Sequence, residues 1–290
     1  GPRQAVLATF HESDGTPFDC GLVTFFPAPA SYTGEDVVEL SCHGGALVPA
    51  QLLAALQALG ARLAWPGEFT RRAVQNGKLD LLQAEAVGDL IDATTRAQGR
   101  GALRQLDGGL SRRLDELRYE LLELTALLSY EIDFPEEDDG PISPETIRAG
   151  LESSRGAVSA LLRTAPVGER VRRGALVVLA GRPNAGKSSL FNALLGIDRA
   201  LVTEIPGTTR DAIEAELDLD GWPVRLADTA GLRDATDRIE RLGIEVSQRY
   251  LAAADLTILC VEAGARLTDE EHAMVRERAT VLVRTKSDLG

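Results

Sequence analysis

Ala175-Leu176-Val177-Val178-Leu179-Ala180 runs directly into Gly181-Arg182-Pro183-Asn184-Ala185-Gly186-Lys187-Ser188, and Ser189 to Leu195 follows with helical spacing. An unbroken apolar run of this kind reads as a strand buried on both faces. A glycine-rich turn between such a strand and a helix lets main-chain N–H groups face inward and cradle phosphate oxygens, while the helix N-terminus adds partial positive charge. In that setting Lys187 meets the β- and γ-phosphates and Ser188 a magnesium ion, with Asn184, Ala185, Gly186 and Ser189 completing the loop. This strand, turn and helix set the C-terminal part of the chain as an α/β domain that binds a nucleoside triphosphate.

The residues that follow extend the pattern. Ile213, Ala215, Leu217 and Leu219 alternate with acids, and Asp220-Gly221 offers a tight turn into Trp222 to Ala227, which predicts an antiparallel hairpin. The hairpin delivers Asp228-Thr229-Ala230-Gly231, where Asp228 holds magnesium through water and the Gly231 N–H reaches the γ-phosphate. Leu256 to Val261 reads as a further buried strand, and Thr280 to Val283 leads into Thr285-Lys286-Ser287-Asp288. An aspartate there accepts from the N1–H and exocyclic amine of guanine, a donor pair that adenine lacks. A solvated polar turn is the plainer reading of either tetrapeptide alone; their order after the phosphate loop favours the nucleotide reading. Hydrolysis asks for a positioned water and neutralised phosphoryl charge. Leu232, which follows Gly231 where many GTP hydrolases carry a glutamine, supplies neither.

At 290 residues and 44% hydrophobic, the chain has material for two or three cores. Its net charge of -13 disfavours a broad electrostatic grip on nucleic acid, so any RNA contact is local or supplied by a partner. Cys20, Cys42 and Cys260 have no spacing that suggests a disulfide framework or a zinc site and read as reduced thiols. With no apolar run long enough to cross a bilayer, a cytoplasmic location without membrane contact is expected. The start at Gly1 and the stop soon after Asp288 suggest a fragment. The only lysines are Lys78, Lys187 and Lys286, against many arginines, which hints at sites that want a compact ammonium.

Three segments are expected. Residues 1–78 mix strand signals (Cys20 to Phe26, Val37 to Ser41) with a helix over Leu47 to Leu59, an α+β domain. Residues 79–168 turn helical, with Leu110, Leu114, Leu117, Leu121, Leu124 and Leu128 stepping by four and three along one stripe. That helix ends near Asp133-Phe134-Pro135, an acidic loop follows, and Ser143-Pro144-Glu145 caps the next helix. Pro166-Val167-Gly168 is read as a break, and residues 169–290 form the α/β domain.

Several stretches together resemble one family, the bacterial tRNA modification GTPases called MnmE or TrmE. They are Ser31-Tyr32-Thr33-Gly34-Glu35-Asp36, His43-Gly44-Gly45, Pro66-Gly67-Glu68-Phe69, Lys78-Leu79-Asp80-Leu81, Gly181 to Ser189, Gly207-Thr208-Thr209-Arg210-Asp211 and Asp228 to Arg233. The resemblance implies a multidomain chain: a tetrahydrofolate-binding, dimerising N-terminal domain, a helical bundle domain, and a P-loop G domain truncated before its last strand and helix. It places Thr203, Glu204, Ile205, Pro206, Gly207, Thr208 and Thr209 along GTP, with Asn184, Thr203, Ile205 and Thr208 around a potassium ion and Ser188 and Thr209 on magnesium. Thr229 and Ala230 line the same site, with Thr285, Lys286 and Asp288 at the base. Catalysis would fall to Glu240, Lys187, Asp228 and Gly231, Glu240 orienting the attacking water indirectly; read alone, Glu240 is one acid on a charged stretch.

Glu39 and Lys78 match positions that contact a 5,10-methylene or 5-formyl tetrahydrofolate; by themselves they read as a strand's outward acid and a surface lysine. The family further implies a homodimer, a flavin-dependent partner (MnmG, also GidA), and modification at C5 of the wobble uridine of tRNA, contacted mainly through that partner. One departure stands out, since Thr285 replaces the usual asparagine of the base-reading motif and so weakens the expected guanine preference. Two other readings remain: a ribosome-assembly-type GTPase switch, and a folate-dependent one-carbon transfer enzyme with a regulatory G domain.

Overall fold

A computed structural model describes residues 1–133, 143–197, 213–228 and 248–288, which fall into two units. The first comprises Gly1–Gly88 with Gln105–Ser111, the second Asp89–Arg104 with Arg112–Gly290. In the first, β1 (Val6–His11), β2 (Pro17–Phe26) and β3 (Val37–Ser41) pair antiparallel in that order. A side chain has no room at Gly21 in β2, where a Cβ would stand 2.0 Å from the Ser41 carbonyl and 2.7 Å from the Phe10 ring. That vacancy lets the buried Phe10 lie across the sheet. Helices α1 (Leu47–Ala58) and α2 (Glu68–Gln75) and most of α3 (Leu81–Asp92) follow, whereas most of α4 (Arg96–Leu106) belongs to the second unit. Strand β1 escapes the sequence reading because Val6-Leu7-Ala8-Thr9-Phe10 does not alternate polar with apolar.

Helices α5 (Gly109–Asp133) and α6 (Pro144–Arg173) run antiparallel: Leu124 lies against Gly150, and the Ser154 hydroxyl donates to Glu120 at 3.4 Å. Ser143 caps α6 as expected, its Oγ accepting from the Thr146 N–H at 3.2 Å, with Pro144 in the first turn. The break expected at Pro166-Val167-Gly168 is absent, and α6 continues through Pro166 to Arg173. Proline removes the bond to the Leu162 carbonyl and crowds it, at about 3 kcal/mol. The helix bears this because its last turn is anchored: Arg170 Nε donates to Asp255 at 2.6 Å and Arg172 Nε to Asp89 at 2.9 Å. Gly174, with φ of 82°, ends it and passes straight into β4 (Ala175–Ala180).

β4 is the middle of a five-stranded sheet ordered β5-β6-β4-β7-β8, made with β5 (Ile213–Leu219), β6 (Trp222–Asp228), β7 (Leu256–Glu262) and β8 (Thr280–Thr285). Only β5 runs antiparallel to its neighbour, through the Asp220-Gly221 turn predicted from sequence. Val177 and Leu179 face α7 (Lys187–Ile197) through Phe191, while Leu176 and Val178 face Tyr250 and Leu251 in a helical stretch at 248–253. On that side Ala180, Leu259 and Val261 meet Met274 of α8 (Asp269–Glu277). Burial on both faces explains why β4 is apolar throughout. Among the described residues no helix is long and apolar enough to cross a membrane.

Candidate functional site

The turn between β4 and α7 sits at the C-terminal edge of the parallel strands, where ligands of open α/β sheets bind. Gly181, at φ of 138°, is pressed so closely by β7 that a Cβ would stand 2.3 Å from the Cys260 carbonyl oxygen. Asn184 (φ 59°) and Gly186 (φ 80°) both take left-handed backbone, which turns successive N–H groups toward one side. Lys187, 6% exposed, donates from Nζ to the Gly181 carbonyl at 2.9 Å and the Arg182 carbonyl at 2.7 Å. Its ammonium is therefore folded back over the loop it follows, held in place by the loop's own oxygens.

Ser188 Oγ donates to Asp228 Oδ2 at 3.0 Å, and Asp228 is 2% exposed at the end of β6. Forty residues apart in sequence, these two meet because β6 lies beside β4 in parallel register, with Leu179 opposite Asp228. A hydroxyl at a helix N-terminus and a carboxylate at the adjoining strand end are hard oxygen donors of the kind magnesium takes. Burial pushes the neighbouring Cys260 thiol up, leaving it a packing group.

Two contacts brace the loop from outside. Arg182 makes a two-pronged pair with Glu271, Nε to Oε1 at 2.9 Å and Nη2 to Oε2 at 2.7 Å, and Nη2 also reaches the Arg266 carbonyl at 2.8 Å. Glu271 sits in a capping box with Thr268 at the start of α8, and the Arg182 guanidinium holds its carboxyl below the usual range. The second brace is Thr285, whose Oγ1 donates to the Ala185 carbonyl at 2.8 Å. Lys286 Nζ pairs with Glu262 Oε1 at 2.5 Å, and Asp288 lies exposed in the turn beyond β8. The sequence reading missed Arg182 and Glu271: Thr268-Asp269-Glu270-Glu271 is a legible capping box, but its partner is 89 residues away.

In the first unit, the stretches singled out from sequence converge. Tyr32 OH and Thr70 Oγ1 lie 3.0 Å apart, Arg72 donates to Glu35 at 3.2 Å, Asn76 Nδ2 to the Thr33 carbonyl at 2.8 Å, and Lys78 Nζ to the Pro29 carbonyl at 3.2 Å. Glu68 is the hub, accepting from Arg62, Arg72 and the Trp65 N–H. His43 is pinned by Asp19, which accepts from its backbone N–H at 3.0 Å and pairs with Nδ1 at 2.7 Å. Glu39 stands exposed on β3, opposite Thr24. Thr203, Glu204, Ile205, Pro206, Gly207, Thr208, Thr209, Thr229, Ala230, Gly231 and Glu240 lie outside the described residues.

Known proteins match along almost all of the chain. The family model described as GTP-binding protein TrmE N-terminus matches residues 1–78, and the MnmE helical domain model matches residues 81–285. A tRNA modification GTPase MnmE from Neisseria meningitidis serogroup C is 47% identical over 292 residues, 99% of this chain and 65% of that protein. Its counterpart from Aquifex aeolicus is 44% identical over 292 residues, 100% of this chain and 65% of that protein. The chain thus spans about 65% of the length of these curated relatives. Among solved structures, the G domain of the T. maritima FeoB iron transporter matches 39% of this chain and 73% of that chain at 28% identity, with a TM-score of 0.28. With an N-terminal α+β domain, a helical domain and a partial P-loop G domain, the chain belongs to the MnmE (TrmE) family of tRNA modification GTPases.

Proposed function

We propose that the chain binds GTP with magnesium and hydrolyses it, and that in the whole protein this cycle drives folate-dependent modification at C5 of the wobble uridine of tRNA. The observation that carries the reading is the phosphate loop, with Lys187 held over it by the Gly181 and Arg182 carbonyls and Ser188 joined to Asp228. Ser188 and Asp228 fit a magnesium ion in donor chemistry, and Thr209 would join them. Bound there, the ion neutralises charge on the phosphate oxygens. Lys187 orients the phosphates, Gly231 holds the γ-phosphate through its N–H, and Glu240 orients the attacking water in place of the glutamine that Leu232 displaces. Asn184, with Thr203, Ile205 and Thr208, would hold potassium, whose charge takes the place of an arginine finger.

Glu39 and Lys78 would contact the tetrahydrofolate that supplies the one-carbon unit. A homodimer through the first unit is supported by the apolar side chains its sheet leaves exposed, Leu7, Leu22, Phe25 and Val38 among them. The acidic net charge of -13 favours a flavin-dependent partner, MnmG, carrying much of the tRNA contact.

Calorimetric titration of the chain with GTP in magnesium buffer tests the nucleotide reading. Uptake is expected, with Lys187→Ala weakening it by about 10- to 100-fold, the range of a lost charge-assisted hydrogen bond. No heat from the unaltered chain removes the reading. Turnover by the full-length protein in potassium and in sodium tests the ion, since equal rates would leave Asn184 a turn residue only. The wobble-uridine content of tRNA from cells lacking the gene tests the substrate.

A further inference from the structure

Thr285 closes β8, and its hydroxyl reaches the Ala185 carbonyl 100 residues earlier in the chain, at 2.8 Å. A carbonyl cannot donate, so the hydroxyl commits its one hydrogen to this bond. The fit is close on both sides: a Cβ added at Gly186 would stand 3.3 Å from Thr285 Cβ, and the Thr285 carbonyl accepts from the Ala263 N–H at 2.8 Å. Thr285 is thereby fixed between β7 and the phosphate loop, and it anchors that loop at the residue before Gly186.

Guanine offers an acceptor at N7 and donors at N1 and the exocyclic amine. An asparagine carries two amide hydrogens and can serve a loop carbonyl and N7 together, whereas a threonine can serve one of them. We propose that Thr285 is a positioning residue that sets the phosphate loop and does not read the base, so that guanine is recognised through Asp288 without a donor at N7. This rests on the nucleotide-binding reading above and adds a division of labour to it. Thr285 affects every nucleotide by the same factor, because what it holds is the cradle for the phosphates. Asp288 governs which base is accepted.

The test is calorimetry of the full chain with magnesium GTP and with 7-deaza-GTP, which has a C–H in place of N7, using the unaltered chain and Thr285→Val, Thr285→Ser and Thr285→Asn. The unaltered chain should bind both nucleotides within about twofold of each other. Thr285→Val should weaken both alike, by about 3- to 10-fold for the lost hydroxyl bond, and Thr285→Ser should restore both. Thr285→Asn should bind GTP more tightly than the 7-deaza form.

Discrimination against 7-deaza-GTP by the unaltered chain of more than about fivefold, equivalent to a hydrogen bond at N7, overturns the proposal. So does a Thr285→Val variant that loses GTP selectively or loses nothing. If Thr285→Val fails to fold, the serine and asparagine variants decide by the same comparison. Failure of the unaltered chain to take up GTP would overturn the nucleotide reading together with this one, an outcome distinct from normal uptake with the wrong selectivity.

Discussion

Glu68 is 4% exposed, yet its carboxylate accepts from Arg62 at 2.8 and 2.6 Å, from the Trp65 N–H at 2.8 Å and from Arg72 at 3.0 Å. These donors, Arg62 first, hold its acid at about 2 against an ordinary 4.5. Because the folded value is the lower, the hub's contribution is complete above the unfolded value and disappears as pH falls through the folded one. Glu68→Gln should therefore flatten the fall in thermal midpoint between pH 4.5 and about 2 relative to the unaltered chain. Circular dichroism melts across that window check it, and parallel curves for the two proteins would assign the hub no role in acid stability. Much of this hub lies within reach of sequence reading, since Arg72 stands one helical turn beyond Glu68. Arg182 and Glu271 could not be paired that way, because side-chain partners across different elements are set by strand order, which local patterns do not encode.

At the scale of elements, the leucine stripe of α5 is legible in sequence, and the structure covers only part of it. Leu117 and Leu124, seven residues apart, are 7% and 9% exposed, while Leu110, Leu114, Leu121 and Leu128 are between 37% and 43% exposed. Of the position shared by Leu110, Leu117 and Leu124, helix α6 therefore covers the last two, while Leu110 and the alternate position of Leu114, Leu121 and Leu128 stay partly open. Leu124→Ala should cost about 2–3 kcal/mol, the low end of the range for core leucines since its other side is not enclosed. Leu121→Ala should cost less, about 1 kcal/mol, because 43% of its surface stays in water and its removal opens no enclosed cavity. Urea unfolding followed by helical ellipticity separates them, and equal losses would mean that α6 does not select between the two positions. The same helix pair shows where local rules mislead. Ser143-Pro144-Glu145 is read correctly as a cap because capping is local, whereas Pro166 is misread as a stop because the ion pairs that hold α6 together beyond it are distant in sequence.

For the molecule as a whole, the decisive feature is that α6 has no linker after it. Thirty residues of helix, about 45 Å at 1.5 Å per residue, end at Gly174 and become the strand that carries the phosphate loop. Asp255 welds the joint, accepting from Arg170 at 2.6 Å with one oxygen and from the Leu176 N–H at 2.9 Å with the other. The first turn of α4 is fastened to the same place: Gln98 Nε2 donates to the Arg172 carbonyl at 3.0 Å, and the Ala97 N–H to the Gly221 carbonyl of the β5–β6 turn at 3.0 Å. β6 then leads from that turn to Asp228. The strand that leads into the loop and the strand that ends at Asp228 thus both begin at a hydrogen-bonded junction with the helical segment, which gives a shift at the proposed nucleotide site two elements along which to act. On the proposed function, coupling of hydrolysis to tRNA chemistry requires that joint, while hydrolysis itself requires the loop with Asp228, Gly231 and Glu240 and not the joint. Inserting Gly-Ser-Gly-Ser between Arg173 and Gly174 in the full-length protein replaces the joint with a flexible tether. GTP turnover should stay within about twofold, while wobble-uridine modification in complemented cells should fall at least about tenfold, since a slack tether transmits no displacement. Loss of both activities would place the joint in the hydrolytic machinery, and retention of both would show that the signal leaves the nucleotide site by another route.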